Sequence, residues 1–522
     1  MRVRRLTPLL AVSVMATLAP GLATTPAAAT TPAAVTPTPA ANPLDQYARQ
    51  QPVWKRCAPG TPAAIRCATI KVPLDYRRPG GAKIEVAVSR IRAGDPAKRR
   101  GVLLFNPGGP GGPGLDMPLE MRNSLPESVR DRFDLIGFDP RGVGRSTPLS
   151  CGVPVAEGSD FLRPYRAKTF AKDVAWAKSI AEKCRTNAGE RLRHISTRNT
   201  ARDMDVLRSV LGEKKISYLG VSYGTYLGAV YTQLFPQRAD RFVLDSAVDP
   251  TRVWRGMMQV WAEEVGPAFV RWSKWTAARS AAYGLGDTPA QVRKTFRDLV
   301  ARADRKPIVV DGVPLDGDQI RLGLRAEFFS VKAAADTVKG LKAAAASGAP
   351  MNRSAEPVPD TGGIATLWAV ACGDDHTAWP KSVERYRADA IRDKARYPLF
   401  GDFTSNIKPC AFWDKPVEPA TVVNNPVGAL ILQNEWDSQT PLVTGQGMHR
   451  ALKGSRLVTV ADGEGHGVYG GAAPNACADG AANAYLISGK LPAKNVTCRA
   501  TAVRGEAADQ HSGSVPWLPA RF

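Results

Sequence analysis

Short apolar segments alternate with amphipathic ones along most of this chain, a pattern that predicts strands separated by helices. Residues 65–73 and 83–91 have strand character and flank a turn sequence at 78–81, which is typical of an antiparallel hairpin. Helical patterns separate four further predicted strands, at 101–105, 133–138, 216–219 and 241–244. Short apolar strands joined by helices indicate an α/β fold, with helices on both faces of a mostly parallel sheet.

The strand pattern stops after about residue 250 and returns only at 429–433 and 456–460. Between these points helical periodicity dominates, as in residues 289–305, and the only β signal is a strand pair at 308–315. One predicted helix has an apolar face, typical of a core, formed by Met258, Trp261, Val265 and Trp272. We therefore predict a large, mainly helical cap before the last two strands, dividing the chain into 44–250, 251–425 and 426–522.

The N-terminus has the character of a targeting segment rather than of a fold. Arg2, Arg4 and Arg5 precede an apolar run at 9–22, and an alanine triplet ends at Ala29. This predicts a signal peptide over residues 1–29, for which the general secretory route fits better than the twin-arginine route. Residues 30–43 are rich in Ala, Thr and Pro and predict a disordered leader or propeptide. No segment has the roughly 20 apolar residues of a membrane span, so we expect a secreted, extracellular protein.

The chain is strongly basic, with 70 Lys and Arg against 48 Asp and Glu in 522 residues and a net charge of +22. The basic residues are scattered along the sequence and do not alternate with aromatic residues, so we expect no nucleic-acid partner. A basic surface is compatible with loose association with an anionic cell wall. We expect a monomer.

The cysteine count favours disulfides over a metal site. Export would place the chain in an oxidising compartment, where an even number of cysteines pairs readily. No Cys-x-x-Cys or histidine cluster is present, so we expect no metal and no cofactor. We predict pairing in sequential order among the eight cysteines, which are Cys57, Cys67, Cys151, Cys184, Cys372, Cys410, Cys477 and Cys498.

The segment 220–224 has the pattern Gly-x-Ser-x-Gly and joins a predicted strand to a predicted helix at 226–235. In that context the pattern predicts a nucleophile elbow, a sharp turn that glycines on either side make sterically possible. Ser222 is the predicted nucleophile. The amide of Tyr223, at the start of the helix, is a predicted oxyanion donor.

A serine hydroxyl needs a base, and the base needs a carboxylate. Of five histidines, His466 is the best candidate because it lies in a glycine-rich loop, 463–467, just past the last predicted strand. Asp437 follows the preceding strand and is the predicted acid, giving the order Ser, Asp, His along the chain. Three other carboxylates remain alternatives for the acid, namely Glu435, Asp245 and Asp249.

A second oxyanion donor is expected from the loop 106–114, which is rich in Gly and Pro and follows the strand 101–105. The loop lacks the patterns of phosphate and dinucleotide sites. Gly109 is the predicted donor. The segment 139–146, after the next strand, is expected to shape the floor of the pocket.

Taken together, these motifs resemble those of the secreted bacterial tripeptidyl aminopeptidases, serine exopeptidases of the α/β-hydrolase fold that are related to proline iminopeptidases. The resemblance covers roughly residues 45–500 and is carried by 106–114, 139–146, 219–225, 243–245, 437–441 and 465–467. It implies a triad of Ser222, Asp437 and His466. It also implies an oxyanion hole from Gly109 and Tyr223, and a cap that closes one end of the cleft.

The resemblance implies release of short peptides, namely tripeptides, from free N-termini of peptides or proteins through an acyl-enzyme. Such an enzyme must bind a free ammonium, and carboxylates are its usual partners. Candidates are Asp374 and Asp375 in the cap, with Glu435 and the pair Glu263 and Glu264 as alternatives. A carboxylesterase or lipase with the same triad is the alternative activity. An inactive hydrolase fold that binds the cell wall is a third interpretation.

Overall fold

The computed structural model describes residues 43–154, 157, 162–351, 363–471 and 474–500. The predicted signal peptide, and the leader except for its last residue, lie outside this part of the chain. The twelve strands of the described residues are β1 (Lys55–Arg56), β2 (Ile65–Pro73), β3 (Lys83–Ile91), β4 (Gly101–Asn106), β5 (Phe133–Phe138), β6 (Ile216–Val221), β7 (Ala239–Asp245), β8 (Ile308–Val310), β9 (Val313–Leu315), β10 (Ala429–Trp436), β11 (Arg456–Glu464) and β12 (Val496–Arg499).

Ten of these strands form one sheet, in the order β1-β2-β3-β5-β4-β6-β7-β10-β11-β12. The first three strands are antiparallel to their neighbours, and β3 is also antiparallel to β5. From β5 through to β12 all neighbouring strands are parallel. The α/β fold and the opening hairpin predicted from the sequence are therefore confirmed.

The sheet is buried on both faces. Along β4, Val102 and Leu104 belong to one apolar cluster, whereas Leu103 and Phe105 belong to another. This alternation is the consequence of strand geometry, since successive side chains point to opposite faces. Helices that accompany the sheet within the described residues are Asp45–Ala48, Met117–Ser124, Glu127–Arg130, Phe170–Ala188, Thr197–Val210, Tyr223–Leu234, Leu442–Ala451 and Ala476–Ser488.

The segment between β7 and β10 is mainly helical and has its own apolar core, in which Phe269 stacks on Trp272 and contacts Phe296 edge-on. The hairpin β8-β9 pairs as predicted, around Asp311 and Gly312. Helices of this segment, within the described residues, are Arg255–Ala277, Ser280–Tyr283, Pro289–Arg305, Gly317–Glu327, Val331–Ser347, Gly363–Gly373, Val383–Arg396 and Gly401–Ser405. We call this segment the helical insertion.

Two edge strands were not expected. The helical insertion precedes three sheet strands rather than two, because β12 pairs in parallel with β11. Both β1 and β12 are short and largely polar, so they lack the apolar run that marks an interior strand. Each is accompanied by a disulfide, Cys57–Cys67 at β1 and β2 and Cys477–Cys498 at β12.

The eight cysteines form four disulfides in the sequential order expected from the sequence; the other two are Cys151–Cys184 and Cys372–Cys410. No helix in the described part of the chain is long and apolar enough to cross a bilayer.

Candidate active site

Ser222 lies between β6 and the helix Tyr223–Leu234, with φ 59° and ψ −124°. A non-glycine residue rarely adopts this backbone conformation, and such strain is typical of functional turns. The flanking glycines make the turn possible. A Cβ on Gly220 would lie 2.5 Å from the carbonyl oxygen of Gly224, and one on Gly224 would lie 2.6 Å from that of Asn106. The local geometry is that of a nucleophile elbow.

The glycine-rich loop after β4 packs directly against this elbow. A Cβ on Gly108, where φ is +102°, would lie 2.9 Å from Ser222 Cβ and 3.1 Å from the backbone nitrogen of Tyr223. Only glycine allows this approach. The loop therefore lies beside the predicted nucleophile and the first predicted oxyanion donor. Gly109, the predicted second donor, is the next residue along it.

The predicted base and acid are joined by a hydrogen bond. His466 Nδ1 lies 2.8 Å from Asp437 Oδ2, and the two side chains are 5% and 0% exposed. Asp437 Oδ1 accepts hydrogen bonds from the amides of Gln439 (2.8 Å) and Thr440 (3.0 Å). The Thr440 hydroxyl donates to Oδ2 at 2.8 Å. The aspartate is thus held in a fixed orientation toward the imidazole.

The charges of this pair reinforce each other. Burial by itself would raise the pKa of Asp437, but the attraction and hydrogen bond of His466, together with the turn amides, hold that pKa below its ordinary value. Burial by itself would lower the pKa of His466, yet the opposing effects of Asp437 and Asp245 raise it above its ordinary 6.5. The site therefore stabilises an imidazolium, the form that a general base takes after accepting a proton.

The topology brings the three candidate residues to the same edge of the sheet. β6, β7, β10 and β11 are adjacent and parallel, so their carboxyl ends meet at one edge of the sheet. Ser222 follows β6, Asp437 follows β10 and His466 follows β11. In an open parallel sheet this edge is the usual position of a functional site.

The other carboxylates considered for the acid have different partners. Asp245, at the end of β7, is buried and accepts hydrogen bonds from the amides of Val468 and Tyr469, both 2.9 Å or shorter. Asp249 accepts from Thr251, and Glu435 accepts from the amide of Asp462 at 2.7 Å. Asp437 is the carboxylate that contacts His466.

The helical insertion contacts both loops of the acid and base pair, which the sequence did not reveal. Trp261 Nε1 donates to the carbonyl of Gln439 at 2.6 Å, although the apolar helix face that contains Trp261 predicts only a core role. Arg325 donates to the carbonyl of Ser438 (3.0 Å) and to Gln439 Oε1 (2.6 Å). The ring of Phe329 lies 6.0 Å from that of His466, centre to centre. These residues had no local signal, because their role depends on how the insertion packs.

A second pair of contacts comes from Arg271, in the helix Arg255–Ala277. Its guanidinium forms an ion pair with Glu464 at 2.5 Å and lies over the ring of Trp436, 4.8 Å from the ring centre. Glu464 lies two residues before the predicted base. The insertion therefore contacts the ends of β10 and β11.

Of the carboxylates predicted to bind an ammonium, Asp374 has other contacts. Its carboxylate accepts from the amide and hydroxyl of Thr197 (2.9 and 2.6 Å) and from Trp254 Nε1 (3.2 Å). Thr197 Oγ1 also lies 2.8 Å from the Tyr223 hydroxyl. Because internal donors occupy this carboxylate, Asp374 is better explained as a support for the elbow. Asp375 accepts from Thr377 and caps a short helical turn.

Comparison with known proteins identifies the fold and the family of this chain. Residues 101–291 match the profile of the alpha/beta hydrolase fold, and residues 397–498 match that of TAP-like proteins. Tripeptidyl aminopeptidase of Streptomyces lividans is 38% identical over 479 residues, which cover 85% of this chain and 86% of that protein.

Two mycobacterial proteins are also similar. Serine protease Hip1 of Mycobacterium tuberculosis is 30% identical over 488 residues, covering 86% of this chain and 91% of its own. Carboxylesterase B of the same organism is 31% identical over 464 residues, covering 83% and 86%. With its elbow, its buried acid and base pair and these relatives, the chain is a serine hydrolase that belongs to the tripeptidyl aminopeptidase family of the α/β-hydrolase fold.

Proposed function

We propose that this protein is an exported serine peptidase that releases tripeptides from free N-termini through an acyl-enzyme. The observation that carries the proposal is the buried hydrogen bond between His466 and Asp437, at the sheet edge where the strand leading to Ser222 also ends. Such a pair is needed to activate a serine hydroxyl. The similarity to tripeptidyl aminopeptidases supports the peptide specificity.

In the proposed mechanism, Ser222 Oγ attacks the carbonyl carbon of the scissile peptide while His466 Nε2 accepts the hydroxyl proton. The amides of Tyr223 and Gly109 donate hydrogen bonds to the oxyanion that forms. His466 then gives its proton to the leaving amine, and the peptide bond breaks to leave an ester on Ser222. A water molecule then gives a proton to His466 and attacks the ester carbonyl; the ester bond breaks, His466 returns the proton to Ser222 Oγ, and the peptide leaves as a carboxylic acid. Asp437 favours the imidazolium that forms in both steps.

An enzyme of this kind must recognise a free ammonium, and Glu264 is the carboxylate that the geometry favours. It lies three residues after Trp261 and seven before Arg271, hence on the same side of their helix. Trp261 and Arg271 contact the loops after β10 and at the end of β11. Burial, with the nearby charge of Glu263, raises the pKa of Glu264. A bound ammonium would favour the charged form of the Glu264 carboxylate and so oppose both burial and the charge of Glu263.

Glu263 provides a matched control. It forms an ion pair with Arg252 at 3.1 Å, whereas Glu264 has no ion pair among the described residues. We therefore expect E264Q to raise KM for a free-amine peptide at least about tenfold, and E263Q to change it little. An equal effect of both variants would reject Glu264 as the ammonium ligand.

The peptidase activity itself is tested by mass spectrometry of the products from peptides with free and acetylated N-termini. Tripeptides released only from the free peptide are the expected result, with S222A inactive. Cleavage of both peptides at the same rate would reject an exopeptidase. Hydrolysis of acyl esters with no peptide cleavage would instead favour the carboxylesterase activity, for which Carboxylesterase B is the relevant relative. Absence of labelling by a fluorophosphonate would favour the inactive, wall-binding interpretation.

Export is part of the proposal and rests on the predicted signal peptide. The four disulfides support it, because disulfides persist in oxidising compartments. Recovery of the protein from the culture medium with residues 1–29 removed would be the expected result. Retention of the uncleaved chain inside the cell would contradict it.

A further inference from the structure

The hairpin at the start of the sheet carries a row of arginines that are far apart in sequence. Arg56 on β1 is directly opposite Arg66 on β2, and Arg66 is directly opposite Arg90 on β3. Residues opposite each other in antiparallel strands are on the same face and about 5 Å apart at Cα. Like charges in such positions repel, so the row is unfavourable unless something compensates it.

No carboxylate is in direct contact with this row in the described part of the chain. Arg56, Arg66 and Arg90 are all without an ion pair among the described residues, whereas Arg99, in the loop between β3 and β4, forms one with Asp134. Arg66 donates instead to the carbonyl of Trp54 at 3.2 Å. The Nε of Arg90 is buried and has no hydrogen-bond partner among the described residues.

Two more arginines complete the cluster. An open cavity of about 990 Å³, including space open to solvent, is lined by Trp54, Ala63, Ala64, Arg66, Arg90, Ile91, Arg92 and Arg122. Its lining contains four arginines and no acidic residue. Arg92 and Arg122 are exposed and, like the row, have no ion pair among the described residues. Five arginines that are far apart in sequence are therefore brought together here.

Trp54 fixes the orientation of Arg90, at one end of the row. The guanidinium of Arg90 lies over its ring, 4.3 Å from the centre. Burial, and then the charges of Arg92 and Arg99, lower the pKa of Arg90 against the opposing effect of Asp134. A bound anion would lower the electrostatic cost of this arrangement and could bond to the planar donor groups of several arginines at once.

We propose that this cavity is an anion-binding site, separate from the active site, that takes a chain of phosphate groups. A chain matches the site better than a single phosphate, because the arginines form a row over three strands and continue into the cavity. Among the residues that line the cavity Trp54 alone is aromatic, and Arg90 covers one of its faces, which disfavours stacking of a base there. This argues for a phosphate polymer without bases rather than a nucleic acid.

The site is remote from the elbow within the sheet. Two strands, β5 and β4, lie between β3 and β6. Binding there would therefore hold the enzyme on a polyanion while leaving the catalytic edge free. The inference does not depend on which substrate the enzyme cleaves.

The test measures binding of inorganic polyphosphate to the full-length protein at about 0.15 M salt, where weak long-range attraction is screened. The double variant R66Q/R92Q is compared with K172Q/K178Q, which removes the same charge from exposed lysines on the helix Phe170–Ala188. We expect R66Q/R92Q to weaken binding about tenfold or more, and K172Q/K178Q to weaken it less than about twofold. Unchanged turnover at the active site shows that both variants are folded.

Three results would overturn the proposal. Equal weakening by both double variants would mean that only net charge attracts the polymer. Equal affinity for orthophosphate and for polyphosphate would mean that the site holds a single anion. Single-stranded RNA that binds as tightly as polyphosphate of equal charge, and that is equally sensitive to R66Q/R92Q, would reassign the cavity to nucleic acid.

Discussion

The backbone carbonyl of Asp245 accepts a hydrogen bond from the amide of Ser222, at 2.9 Å. The carboxylate of the same residue accepts from the amides of Val468 and Tyr469, just after His466. The next residue, Ser246, accepts through its hydroxyl from the amide of Gly467 at 2.8 Å. The end of β7 thus connects the loop of the proposed nucleophile to that of the proposed base.

From this connection we predict that D245A lowers kcat about 100-fold, because a displacement of the imidazole by about 1 Å has effects of this size. The elbow itself should persist, since the contact to Ser222 uses the backbone. Slower labelling by a fluorophosphonate, with an unchanged far-UV circular dichroism spectrum, is the expected measurement. Wild-type labelling rates in D245A would show that the carboxylate does not position His466.

A second prediction concerns pH. His466 must be neutral to accept a proton, and its pKa is raised above 6.5. The value of kcat/KM should therefore fall as the pH falls through that raised pKa. In D437N the attraction that raises the pKa is lost while burial, which lowers it, remains. We expect the acidic limb of D437N to move to lower pH and its kcat to fall about 10⁴-fold. If the acidic limb of D437N stays at the wild-type pH, a group other than His466 titrates there.

Much of the fold and the acid and base pair could be predicted because their signals are local. Each strand that leads to a catalytic candidate is a short apolar run that ends in a characteristic segment, as with 463–467 at the end of β11. The elbow has its own pattern around Ser222. Because neighbouring strands are parallel, the segments that follow them lie at the same edge of the sheet, and no other signal is needed to predict this.

What could not be predicted depends on contacts between distant segments. Arg325 and Trp261 lie in helices whose patterns indicate only a core. The row of Arg56, Arg66 and Arg90 exists only through strand register. The carboxylate of Asp374 looked available in sequence, yet packing against Thr197 occupies it. Edge strands such as β12 are too short and polar to be visible as patterns.

A third prediction ranks two disulfides by the length of chain that they close. Cys372–Cys410 spans 38 residues, and Cys57–Cys67 spans 10. Since longer loops lose more entropy on closure, we expect removal of the first pair to lower the free energy of unfolding by about 4 kcal/mol and removal of the second by about 3 kcal/mol. Urea unfolding of the two double Cys→Ala variants measures both values. A larger loss for the shorter loop would contradict this ranking.

The last prediction concerns Arg325, which is buried between two aromatic rings, 4.1 Å from the centre of Trp261 and 5.6 Å from that of Phe400. Burial lowers its pKa, and no carboxylate forms an ion pair with it among the described residues. Its two hydrogen bonds hold the turn at Ser438 and Gln439. That turn supplies an amide to Asp437, so Arg325 acts as a positioning residue for the acid.

We expect R325M to lower kcat about tenfold or more with a smaller change in KM, because the acid is less well oriented. The charge of Arg325 also lowers the pKa of His466, whereas Asp437 and Asp245 raise it. Its removal should raise the pKa of the base, so the acidic limb of kcat/KM should move to higher pH. R325K, which keeps the charge, should restore the position of the limb but only part of kcat.

Arg321 is the matched control, one helical turn earlier. It forms ion pairs with Asp318 and Asp402 at 2.8 and 2.7 Å and has no hydrogen bond to the turn after β10 among the described residues. R321M should lower the free energy of unfolding, because it leaves buried Asp402 with one partner fewer. It should not move the acidic limb. If R321M shifts the limb as far as R325M, the effect belongs to the packing of the helix, and Arg325 has no specific role in orienting Asp437.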